Sequence, residues 1–112
     1  MATSMKVDIN LTNFSLNGET WNIIQVPSIG DEVTTIGETE YHTRTIRLLD
    51  WVDKTTRIRT LKHELAHVWM WEYGHNQHGE DKTFTNEDVC EIIACSNDFI
   101  NEVIEKYFGG GN

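Results

Sequence analysis

A chain of 112 residues is long enough for one modest core and too short for two, so a single domain over residues 1–112 is expected. Nine Lys and Arg against eighteen Asp and Glu give a formal charge of -9, which opposes a polyanionic partner, because nucleic-acid binding needs a basic patch to displace counterions. No apolar run approaches the ~20 residues of a membrane span, and the N-terminal MATSMKVDIN carries no hydrophobic signal core. The expectation is a cytoplasmic protein with neither nucleic-acid nor membrane partners.

In chain order, FSLNGETWNIIQV reads as two short strands around Asn17-Gly18, a pair favoured where both central residues of a tight hairpin turn take positive φ. SIGDEVTTIGETE is rich in Gly, Asp and Thr and reads as a loop. In YHTRTIRLL, Ile46 and Leu48 alternate with Arg47 and predict a further strand, with His42 on its surface. From Asp53 as N-cap, Ile58, Leu61, Leu65, Val68 and Trp69 recur at helical spacing, and Gly74 supplies the stop. The polar segment GHNQHGEDKTF follows as a loop. Thr85 and Asp88 then form a capping-box pair, with Asp in place of Glu or Gln. Val89, Ile92, Ile93, Phe99, Ile100, Val103 and Ile104 are the expected apolar stripe of this second helix. On that helix Cys90 and Cys95 are five apart, a spacing unsuited to a zinc knuckle and awkward for a disulfide, so reduced thiols are expected. The four tryptophans are expected in the core or the wall of a cleft. The order predicts an α+β domain, a small antiparallel sheet followed by two helices.

Function is concentrated in TLKHELAHVW. At about 100° per residue, His63 and His67 lie roughly 40° apart around the helix and one turn apart along it, so both imidazoles can reach one ion. Zinc takes such nitrogen ligands at about 2.0–2.1 Å. Glu64 lies about 100° from His63, too far round to bind the same ion easily but able to hold a water beside it. This is the content of HExxH: two ligands and a general base. A catalytic zinc needs a third protein ligand, and His75, His78, Glu87 and Glu91 are the candidates. His75 falls eight residues after His67, not at the six-residue step of the longer HExxHxxGxxH pattern, where Tyr73 stands. Glu87 is better placed than the loop histidines, in the first turn of the second helix, with Glu91 one turn later. Tyr73 and His75 are candidate oxyanion donors.

HELAH followed by NEDVCE is similar to the gluzincin arrangement, in which a downstream glutamate supplies the third ligand. The whole resembles the compact ImmA/IrrE-like zinc metallopeptidases common among phages and mobile elements. Glu87, Glu91 and Ala94 match the pattern of their second helix, and IGETEYHTRTIRLLD resembles their strand before the zinc helix. The resemblance covers roughly residues 36 to 100 and implies a minimal zincin-like fold with a bound Zn2+. It assigns His63, His67 and Glu87 as metal ligands, Glu91 as the carboxylate that supports a ligating histidine, and Glu64 as the catalytic base. Glu91 replaces the more usual Asp, and either side chain can accept the imidazole's other N–H. The implied activity is hydrolysis of a peptide bond in a protein or peptide substrate, such as a phage or mobile-element regulator, with the strand around Thr45–Leu48 pairing with an extended substrate. The competing function is a non-catalytic zinc-binding interaction module, whose ion would be closed by a fourth side chain such as His78.

Overall fold

The Asn17-Gly18 turn has the backbone its sequence demands, with φ of 54° and 81° at the two residues. It joins β1 (Leu11–Leu16) to β2 (Glu19–Val26) in an antiparallel hairpin. The computed structural model describes residues 11–30, 35–74 and 85–109, so His75 and His78 lie outside the described residues. β3 (Gly37–Glu40), β4 (Thr45–Leu49), α1 (Lys54–Glu72) and α2 (Asn86–Ile104) follow, and a wider π-type turn occupies Glu105–Gly109.

The α+β class stands, with one correction to the sheet. The strand order is β1-β2-β4-β3, and the central pair β2 and β4 runs parallel, so the sheet is mixed rather than antiparallel. A parallel pair needs a long crossover, and the chain from Pro27 to Arg44 supplies it. That crossover contains β3, in a segment whose composition reads as loop. β3 forms because it pairs antiparallel with the outer edge of β4 and rests on α1. Tertiary pairing overrides the weak strand preference of Gly and Glu here. With β2 on one side and β3 on the other, β4 has no edge left for a substrate. The Thr45–Leu48 docking expectation fails for that reason, and the outer strand beside α1 is β3.

Alternation along the strands sends Phe14, Leu16, Trp21, Ile23, Ile46 and Leu48 to one face, where Leu61, Leu65 and Val68 of α1 and Val103 of α2 close the core. Asp53 caps α1 by accepting from the Thr56 amide at 2.7 Å, and hydrogen bonding from the Thr56 side chain and then its amide holds the Asp53 carboxyl below its usual pKa. The Thr85–Asp88 capping box is formed in both directions.

Three further expectations are revised. Only the C-terminal half of α2 packs fully: Phe99 meets Phe14 and Trp69, whereas Val89 and Ile93 are exposed, Ile93 at 60%. The seven-residue apolar stripe therefore covers the core along part of its length. Trp51 is exposed, tied only at its edge by Nε1 donating to the Pro27 carbonyl. His42 is exposed in the Tyr41–Arg44 turn rather than on a strand. Both cysteines are free, as expected.

Glu72 joins the sheet to the end of α1. Its Oε2 accepts from Trp21 Nε1 at 2.8 Å and from Arg44 Nε at 3.1 Å, and its carbonyl accepts from Asn17 Nδ2. Trp21 itself is wholly buried. Trp21→Ala removes that volume and the Glu72 donor together, and should lower the unfolding free energy by about 3–5 kcal/mol in urea titration.

Candidate active site

α1 presents its second and third turns to β3, and the site lies along that contact. Leu61, Leu65 and Val68 face the core, which turns His63 and His67 outward, where both are exposed. The two rings meet edge to face, 4.8 Å between centroids, with Nε2 of one 3.2 Å from Nε2 of the other. Two nitrogens each ~2.05 Å from one tetrahedral zinc stand ~3.3 Å apart. The imidazole pair already has the spacing of two ligands to one ion.

Glu64 is buried between the same helix and the sheet. Its Oε1 accepts a 2.5 Å hydrogen bond from Thr39 Oγ1 of β3. Gly37, two residues earlier on the same face of β3, permits this closeness. A Cβ there would collide with Thr60 Cγ2 and would lie 3.5 Å from Glu64 Oε2. Thr60 is in turn bound by its hydroxyl to the Thr56 carbonyl. Tyr41, next on that face, stacks on Trp71 of α1 at 4.5 Å. Burial, and then the nearby Glu64 carboxylate, raise the Tyr41 pKa above that of a free phenol. A cleft of about 360 Å³ opens here, with Thr35, Ile36 and Gly37 on one wall and Arg59, Thr60, His63 and Glu64 on the other.

The remaining site residues are placed differently. Glu87 and Glu91 are both exposed on the projecting half of α2, and Glu91 Oε2 accepts from Cys95 Sγ at 3.2 Å instead of from an imidazole. Among the described residues, no three His, Cys, Asp or Glu side chains converge as a metal site. His63 pairs with His67 and shares the cleft lining with Glu64, and Glu87 is not gathered to them. Tyr73 stacks on Trp69 at 4.4 Å, on the side of α1 that meets α2, and does not line the cleft.

Sequence reasoning missed Gly37, Thr39 and Tyr41, which bring β3 and the turn after it against α1 beside Glu64. Their period of two was the available signal, masked by the polar composition around them.

An imidazole pair next to a buried carboxylate is compatible with a metallopeptidase-type protein. Comparison with known families agrees. Residues 24–99 match the family described as the IrrE N-terminal-like domain, a peptidase family, and the chain belongs to it. No curated protein and no solved structure matches the chain. Among the described residues, no helix is long and apolar enough to cross a membrane.

Thr39→Val removes the donor to Glu64 while keeping side-chain size. It should cost about 1–3 kcal/mol of stability near neutral pH, the loss for a buried acceptor deprived of a partner, and equilibrium denaturation reads it directly.

Proposed function

We propose that this chain is a zinc-dependent peptidase of the cytoplasm that hydrolyses a peptide bond in a protein substrate. The observation that carries the reading is the His63–His67 pair at ligand spacing, beside a carboxylate held by Thr39 at the mouth of a cleft. His63 and His67 would hold the ion. Glu87, which stands apart from them in this structure, would complete the set as third ligand, and Glu91 would accept the remaining ring N–H of a ligating histidine. When bound, zinc supplies Lewis-acid polarisation of the scissile carbonyl and lowers the pKa of water toward ~7.

The chain's own groups do the rest. Glu64 takes a proton from the attacking water and later delivers it to the leaving amine. Thr39 fixes Oε1, so that the carboxylate keeps one orientation through both transfers. The outer edge of β3 offers backbone groups to an extended substrate, because β4 is its partner on the inner side. Resemblance to phage and mobile-element members extends the proposal to a regulatory protein as substrate.

Purified protein should carry about one zinc per chain, by elemental analysis. His63→Ala, His67→Ala and Glu87→Ala should each strip it and lower the melting temperature, since metal held only by the folded state stabilises that state. Full zinc retention in Glu87→Ala would move the third ligand elsewhere. Glu91→Ala should weaken zinc binding by about 10–100-fold without abolishing it.

Glu64→Gln separates catalysis from binding. The amide keeps size but cannot take the proton, so zinc and fold should persist while turnover falls at least ~10²–10⁴-fold. An activity unaffected by this change, with zinc in place, would make HELAH the clamp of an interaction module.

A further inference from the structure

The cleft holds one charged group that neither metal binding nor proton transfer uses. Arg59 lies one turn before His63 on α1 and lines the same wall. The other nearby arginines are engaged: Arg44 with Glu72 and Glu19, Arg47 with Glu38 and Glu40, and Arg57 Nη1 with Gln25 Oε1. Among the described residues, no ion pair or hydrogen bond ties the exposed Arg59 guanidinium. Asp53, whose carboxyl feels its field, is already committed to the Thr56 amide.

We propose that Arg59 makes this end of the cleft a carboxylate-binding subsite, which selects substrates with an acidic side chain or a free C-terminal carboxylate close to the cleaved bond. The proposal rests on the peptidase reading above and names the substrate class for that site. A guanidinium presents paired N–H donors that match a carboxylate's two oxygens. The volume of about 360 Å³ accommodates a side chain of Asp or Glu size, with Ile36 and Gly37 offering apolar wall to its methylenes.

Glu64 gives the subsite its polarity. Five residues separate it from Arg59, which is about 140° around the helix, so the two charges flank His63 and Thr60. A carboxylate is drawn to the Arg59 flank and repelled from the Glu64 flank, so it enters in one orientation only. The chain's overall charge of -9 opposes an acidic ligand at long range. Screening over ~8 Å at physiological salt confines that opposition and leaves the contact with Arg59 to decide.

The test compares zinc-loaded wild type with Arg59→Gln and Arg59→Glu on a randomised decapeptide pool, with product termini read by mass spectrometry. Wild type should enrich Asp and Glu over Asn and Gln by about tenfold at one position near the cut, or favour free over amidated C-termini. The first outcome assigns the carboxylate to a side chain and the second to a chain end. Arg59→Gln should erase the enrichment, and Arg59→Glu should replace it with Lys or Arg. Cleavage by wild type without enrichment, or enrichment that survives in Arg59→Gln, overturns the subsite. A second arm needs no turnover. Fluorescein-labelled, alanine-rich pentapeptides carrying one Glu or one Gln, each with free and amidated ends, are titrated onto Glu64→Gln by anisotropy. Preference for the carboxylate forms, lost when Arg59→Gln is added, supports the subsite even if no peptide is cut, an outcome in which the peptidase reading alone fails. Cleavage with no dependence on Arg59 in either arm removes the subsite and leaves the peptidase reading standing.

Discussion

The hydrogen bond from Thr39 to Glu64 is the contact on which the site depends. A carboxylate buried between helix and sheet loses hydration, and that loss is tolerable only with a donor in reach. β3 brings the donor, and β3 can come so close only because Gly37 has no side chain to meet Thr60. The edge strand, α1 and the mouth of the cleft therefore share one constraint. Loosening any of them releases the carboxylate that the proposed chemistry needs fixed.

The far end of α1 is secured by different means. Glu72 draws Trp21, Arg44 and, through its carbonyl, Asn17 to one place, so the hairpin turn, the β3–β4 turn and the helix end are tied together. At the start of α1, Arg57 reaches Gln25, and Gln25 donates to the Tyr107 hydroxyl, joining α1, β2 and the C-terminal turn. Burial raises the Tyr107 pKa, so the phenol stays neutral and hydrogen-bonded over the ordinary pH range. Lys106 donates to the Asn13 carbonyl beside them. With α1 secured at both ends, its middle turns hold His63 and His67 at a fixed separation.

α2 is held unevenly. Phe99 and Val103 seat its C-terminal half in the core, while the half bearing Glu87, Val89, Glu91 and Ile93 stands outward. The proposed third ligand therefore sits on the less constrained part of the helix. Metal binding would then contribute to the order of that half as well as to catalysis, which gives the zinc-dependent melting experiment its structural meaning.

The sequence by itself determined what depends on local chemistry. Asn17-Gly18 specified its turn through positive φ, Asp53 and the Thr85–Asp88 pair specified their helix starts through side-chain acceptors for free amides, and HELAH specified two imidazoles on one helical face. Each of these is settled within a few residues. What only the tertiary structure decided involves partners distant along the chain. The parallel pairing of β2 with β4, and the existence of β3 in a stretch that reads as loop, arise from edges that come together only after the crossover has folded. Burial of Glu64 under Thr39, exposure of Val89 and Ile93 despite their apolar spacing, and the place of Arg59 in the cleft wall follow from which surfaces the sheet and helices happen to cover. A periodic pattern shows that a face is apolar; whether anything covers that face depends on packing between elements far apart in sequence.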